Sequence, residues 1–160
     1  MADQQTQKKS ALRSIETQSK RTSQFQNEHA IRDFTFTIDE PEKLGGSNEA
    51  LTPMEYIIGS LNGCFMIVVE MVAKEKELTI EKLDASSSGA IDRRGLFGTA
   101  DVSPHFQTVT LQVDVTFAEE EVDGEDFIQR VQKRCPAYNL FKDADVKIEV
   151  IWNINKEEQA

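Results

Sequence analysis

The segment from Thr52 to Lys76 constrains the fold more than any other part of the chain. Thr52 can cap a helix, and Pro53 suits the first helical position, where no backbone donor is missed. Glu55 can reach back to the Thr52 amide and complete a capping box. Beyond it Ile57, Leu61, Cys64, Val68 and Met71 or Val72 recur at helical spacing. Ile58, Phe65, Ile67 and Val69 are apolar as well, so the predicted helix is hydrophobic on most sides and calls for burial nearly all round. A helix of roughly 24 residues is ~36 Å long, more than one small sheet can cover. A second copy of the chain would cover the rest, and an obligate dimer is the expectation.

Around this helix the pattern is that of strands. Residues 10–22 are a weak strand candidate with Leu12 and Ile15. From Ile31 to Ile38, Phe34, Phe36 and Ile38 alternate with Thr35 and Thr37, as in a half-buried strand that Asp39-Glu40-Pro41 ends. Gly45-Gly46-Ser47-Asn48 is a turn. Thr79 to Ile91 forms a strand, followed by loops at 93–98 and 103–105. Val109, Leu111, Val113, Val115 and Phe117 alternate without a break. A second helix runs from about Gly124 to Arg134, with Phe127, Val131 and Cys135 on one face and Pro136 as its stop. Tyr138 to Lys142 can form a further helical turn, and Val146 to Ile154 is the last strand. Strands that run consecutively before a helix predict an α+β fold with antiparallel pairing. Residues 10–155 are expected to form a single domain between polar tails at 1–9 and 156–160.

Composition excludes several function classes. The formal net charge is −10 and the isoelectric point about 4.7, a surface that repels phosphate backbones and anionic lipid, so neither nucleic acid nor a membrane is an expected partner. Met1 to Ser10 is polar and lacks the apolar core of an export signal. The stretch Tyr56 to Val69 is the least charged and too short to span a bilayer. The expected compartment is therefore the reducing cytoplasm, where two cysteines are more often free, catalytic or sensing than bridged for structure.

Those two cysteines are the main chemical candidates. Cys64 falls on the apolar stripe of the first helix, and Cys135 ends the second helix between Lys133-Arg134 and Pro136. Both can be small buried hydrophobes. The cations beside Cys135 and its place at a helix end argue instead for a reactive thiol, because such settings favour a thiolate. There is no Cys-x-x-Cys. With His29 and His105 the cysteines would make four zinc ligands, but the close-spaced pairs of structural zinc sites are missing. Gly45-Gly46 lacks any nucleotide or phosphate fingerprint, and no cofactor is expected. Phe65, Phe97, Phe106, Tyr138 and Phe141 are core residues or the lining of an apolar pocket near the thiols.

Asp39-Glu40-Pro41, Leu44-Gly45-Gly46, Pro53 with Cys64 eleven positions on, and Arg134-Cys135-Pro136 together resemble the OsmC/Ohr family, named for osmotically inducible protein C and organic hydroperoxide resistance protein. The resemblance covers about residues 20–155 and lies nearest the branch with Asp-Glu-Pro and Leu-Gly-Gly motifs. It implies an intertwined homodimer in which long central helices are wrapped by antiparallel sheets. It implies organic hydroperoxides as substrates, Cys64 as the attacking cysteine and Cys135 as the resolving one. A dithiol reductant, lipoyl in some members, would reopen the disulfide.

Two positions depart from the family pattern. The peroxidases place a glutamate directly after the helix-starting proline, and here that position is Met54. Glu55 lies nine residues before Cys64, about 900° of helical rotation, which puts it on the opposite face. The activating arginine corresponds best to Arg21, with Arg32 and Arg13 as competitors. The alternative that these departures favour is a redox-sensing or ligand-binding protein with little turnover; the plainest is a structural dimer with inert cysteines.

Overall fold

The computed structural model describes residues 11–155. The polar tails expected at 1–9 and 156–160 lie outside the described residues. The chain divides into two compact units, one ending at Pro53 and the other starting at Met54.

The first unit is a three-stranded antiparallel meander of β1 (Gln18–Ser23), β2 (Gln26–Ile31) and β3 (Phe34–Ile38). The alternation from Ile31 to Ile38 is not one strand. Arg32 takes a left-handed conformation, φ 55°, and turns the chain so that Ile31 pairs with Phe34. The strand expected at 10–22 begins only at Gln18, and Leu12 and Ile15 are exposed. After β3 the chain winds around one carboxylate. Asp39, fully buried, accepts the N–H groups of Glu40 (2.8 Å), Ser47 (3.2 Å) and Glu49 (3.0 Å), and the Gln26 amide (3.3 Å). The N–H of Glu49, with those of Glu40 and Ser47 and the Gln26 amide, holds this carboxyl below its usual range despite burial. Gly46 is required in this loop, since a Cβ there would lie 1.9 Å from the Glu40 carbonyl oxygen.

The second unit packs helices on a three-stranded sheet. Helix α1 (Pro53–Glu75) leads into β4 (Ile80–Ile91), a short helix α2 (Arg93–Leu96) and β5 (Phe106–Phe117). Helices α3 (Gly124–Arg134) and α4 (Pro136–Asp143) then cross back to β6 (Lys147–Ile154). The region read as a loop at 93–98 thus holds α2, whose start Asp92 caps by accepting the Arg94 N–H. β5 is central, with β4 antiparallel to it and β6 parallel. The parallel pairing departs from the antiparallel expectation. Its cause is the two-helix crossover, which returns the chain to the starting end of β5 before β6 begins. The architecture is mixed α and β.

Alternation along β5 places Val109, Leu111, Val113, Val115 and Phe117 on the buried face. Against them pack Leu61, Phe65, Val68, Val69 and Val72 of α1 and Phe127 and Val131 of α3. Each such side chain, once buried, stabilises the fold by ~1.5–3 kcal/mol. α1 has the length and composition to cross a membrane, unlike the shorter stretch read from the sequence, but one of its faces belongs to this core. It is not buried all round within the chain. Ile57, Ile67 and Met71 are exposed, Ile67 to 60%.

Candidate active site

Cys64 and Cys135 reach one another through the second unit's core. Cys64 is on α1 between buried Leu61 and Phe65 and is itself half-buried. Cys135 sits at the break between α3 and α4. Pro136 has no N–H to continue α3, so Cys135 leaves the helical conformation (φ −73°, ψ 111°) and Pro136 opens α4. That extended residue carries a fully buried sulfur 3.6 Å from Cys64 Sγ. Both thiols are free.

The two sulfurs differ in environment. Burial pushes the Cys135 thiol up to about 11. The Tyr138 N–H, 3.5 Å from Cys135 Sγ, works against this shift, and the nearby Cys64 adds to it. Cys135 is thus a neutral thiol at physiological pH and donates toward Cys64 Sγ. The cations flanking it do not make it a thiolate, contrary to expectation. The Arg134 guanidinium is turned to Glu75, at 2.6 and 2.9 Å, and holds that carboxyl below its usual range. Lys133 is exposed. Further along the same face, Lys76 and Arg130 share the carboxylate of Asp126. These pairs join the end of α1 to α3, the two helices that carry the thiols.

An apolar groove of about 660 Å³ runs between α1 and α4, lined chiefly by Met54, Ile57, Leu96, Phe106, Leu140 and Phe141. Ser60, one turn before Cys64, and Ala137, two residues after Cys135, also line it, so its wall comes within about a helical turn of both sulfurs. Of the aromatics singled out from sequence, Phe106 and Phe141 line the groove, with ring centroids 5.6 Å apart. Phe65 packs edge-on to Tyr138 at 6.1 Å beside the thiols. Phe97 is exposed under the Arg93 guanidinium.

The remaining candidates are dispersed. Arg21 is exposed on β1 of the first unit, in register with Asn27. Arg32 lies in the β2–β3 turn over the Phe34 ring, and Arg13 is exposed ahead of β1. Glu55 is exposed in the first turn of α1, and Met54 lines the groove instead of offering a carboxylate. His29 meets Ser19 and Asn27 in the first unit, and His105 lies in the groove with its Nδ1 2.7 Å from the Phe106 carbonyl. Among the described residues no group of three or more His, Cys, Asp and Glu is placed to hold a metal ion.

The family model for OsmC-like proteins matches residues 46–151, more than half of the chain and a span that holds both cysteines. The chain belongs to the OsmC-like protein family. A hydroperoxide reductase of Mycoplasma pneumoniae is 27% identical over 117 residues, covering 71% of this chain and 77% of that one. Among solved structures, an OsmC-like protein from Mycoplasma pneumoniae superposes with a TM-score of 0.75 at 20% identity, covering 90% of this chain and 99% of that one. An organic hydroperoxide resistance protein OsmC from Legionella pneumophila gives 0.63 at 15% identity, covering 92% and 100%. This OsmC-like chain thus shares the fold of hydroperoxide-resistance proteins.

Two features of the site went unread in the sequence. The Glu75–Arg134 pair joins residues 59 positions apart and has no local signal. Asn139, four residues past Cys135, donates its side-chain amide to the carbonyls of Gln132, Lys133 and Cys135. An asparagine shortly after a helix stop is the signal that marks it.

Proposed function

We propose that this OsmC-like protein is a thiol peroxidase that reduces organic hydroperoxides through Cys64 and Cys135. The observation that supports it best is the pair of free sulfurs 3.6 Å apart beside an apolar groove. Cys64, as thiolate, attacks the distal peroxide oxygen. The O–O bond breaks, the alcohol leaves with a proton, and Cys64 is left as a sulfenic acid. Cys135 then loses its proton and attacks the Cys64 sulfur, expelling water and forming a disulfide. A dithiol of the cytoplasm, lipoyl or other, returns both thiols by exchange. The apolar groove suits the organic part of the peroxide.

Two further assignments belong to this proposal. Arg21 is the cation that favours the Cys64 thiolate, a role the family resemblance gives it over Arg32. The working form is a homodimer, in which a second α1 covers the exposed side chains of Ile67 and Met71. The test is timed mass analysis of reduced protein given one equivalent of cumene hydroperoxide. Loss of two protons within seconds in the wild type, and none in Cys64→Ser, is expected. An unchanged rate of peroxide loss in Cys64→Ser would end the proposal. Arg21→Ala is expected to slow the first step while Arg32→Ala leaves it alone.

Met54, where the peroxidases carry glutamate, favours a second reading: a redox sensor that forms the disulfide once and turns over poorly. It predicts stoichiometric oxidation by hydroperoxide but no sustained consumption with any dithiol.

A further inference from the structure

We propose that Asn139 is a positioning residue for the thiol pair, clamping the α3–α4 break so that Cys135 Sγ stays within reach of Cys64. The proposal rests on the thiol chemistry above and identifies what sets its geometry. A helix that stops leaves its last carbonyls without partners. At the end of α3, the Val131 carbonyl takes the Cys135 N–H at 3.0 Å. The next two, Gln132 and Lys133, are taken by Asn139 Nδ2 at 3.0 and 3.3 Å. The same Nδ2 lies 2.8 Å from the Cys135 carbonyl, which also accepts the Asn139 backbone N–H at 3.1 Å. One amide therefore ties the end of α3, the peptide of Cys135 and the first turn of α4 together. Its orientation is fixed by chemistry, because the amide oxygen turned the same way would face three carbonyl oxygens.

Cys135 is the single extended residue between the two helices, so its torsions set the angle between them and the place of its sulfur. Disulfide geometry is narrow: S–S is about 2.05 Å, so the sulfurs must close by roughly 1.5 Å from their present contact. Freeing the break lets α4 swing about Cys135, and misplacement by about 1 Å can cost 10²-fold in an intramolecular step. Asn139 touches neither sulfur and acts through the backbone of Cys135.

The test is the equilibrium of the pair with glutathione: two protein thiols plus one glutathione disulfide give the Cys64–Cys135 disulfide plus two glutathiones. It needs no peroxide, so it reads positioning separately from peroxidase activity. Asn139→Ala and Asn139→Asp are expected to lower the equilibrium constant at least tenfold, and Asn139→Gln, which keeps a donor amide, to recover part of the loss. With hydroperoxide the same variants should divert Cys64 from disulfide toward sulfinic acid. A merely structural Asn139 would lower the melting temperature and leave both readouts of the folded protein unchanged, and that result overturns the proposal. Asn139→Asp serves if the alanine variant does not fold, and a constant and a sulfinic yield equal to wild type in it would also overturn it. A wild type that forms the disulfide with glutathione but ignores hydroperoxide refutes the peroxidase reading alone. A wild type that forms no such disulfide refutes the positioning role too.

Discussion

Cys135 Sγ lies 3.6 Å from Cys64 Sγ, although 71 positions separate the two residues. One is half-buried on a continuous helix and the other fully buried at a helix break. In the proposed cycle this asymmetry divides the labour. The half-buried sulfur is open to a substrate, and the buried one can reach only its partner. Cys135→Ser should therefore keep the first step and lose the second. The burst of peroxide loss is expected to stay within about threefold of wild type, while steady turnover falls at least ~100-fold and Cys64 accumulates sulfinic acid. Rapid-quench mass analysis checks this, and a wild-type steady rate in the serine variant would remove Cys135 from the cycle.

The raised value of Cys135 makes disulfide formation pH-dependent. With the thiol near 11, about one molecule in a thousand carries the Cys135 thiolate at pH 8. The attack on the Cys64 sulfenic acid should accelerate about tenfold per pH unit from 7 to 9. Linkage gives a second sign. The folded thiol holds its proton more tightly than the unfolded one, at an ordinary 9.0. The associated stability is fully present below that value and is lost as pH rises through about 11. Stopped-flow resolution rates that stay flat from pH 7 to 9 would contradict the burial argument.

What the sequence made legible follows from where side chains alternate against a core. α1, α3, β5 and β6 were readable because Leu61, Phe65, Val113, Phe127 and Trp152 each sit on a periodic apolar face. β1 was legible only in part: the expected strand at 10–22 overlaps it but was drawn from Leu12 and Ile15 ahead of it, since Gln18 to Ser23 themselves are polar and exposed on both faces. The direction of β6 was not legible, because alternation is the same in parallel and antiparallel strands. The cysteines were legible as candidates but not their contrast. Lys133 and Arg134 beside Cys135 looked like a thiolate setting, yet successive helical residues point about 100° apart, and only Cys135 turned inward. Asp39 was read as the end of a strand. Its role as the acceptor for a whole loop depends on Gln26, Ser47 and Glu49, which come together only in the fold.

Arg134 is expected to have no part in setting the Cys135 thiol. Its guanidinium is engaged by Glu75, and the groups that shift Cys135 are its burial, the Tyr138 and Ala137 amides and Cys64. Arg134→Gln should leave the Cys135 titration within about 0.3 units of wild type, while the salt sensitivity of melting falls as a surface ion pair is lost. Titration of Cys135 by ultraviolet absorbance in a Cys64→Ser background measures it. A clear upward shift would restore the flanking cation to the thiol's environment.

Asp39→Asn is expected to lower the melting temperature by several degrees at pH 7. The replacement turns an NH₂ toward N–H groups that now find a carboxylate oxygen. The ionised form is favoured in the fold, so this stabilisation is present above the ordinary 3.8 and lost as pH falls through the lower folded value. The gap between the two melting curves should narrow below about pH 4. A gap that is constant down to pH 2 would mean the charge is not what holds the loop.

The exposed face of α1 supplies a test of the dimer. Gly59 and Gly63 sit in mid-helix, where each costs about 1 kcal/mol relative to alanine, and a Cβ at either would meet nothing within 4 Å. Packing among the described residues gives no reason for them. Exposed Ile67 continues the stripe one turn on. A second α1 approaching closely over Gly59 and Gly63 accounts for all three. Two variants then separate the cases. In a monomer Gly63→Ala should raise stability by roughly 0.5–1 kcal/mol, since it adds helix propensity and no clash. In a dimer built on this face it should weaken association, and Ile67→Asp should abolish it. Sedimentation across protein concentrations reads the outcome, and a wild type that sediments as a monomer throughout would exclude the proposed dimer.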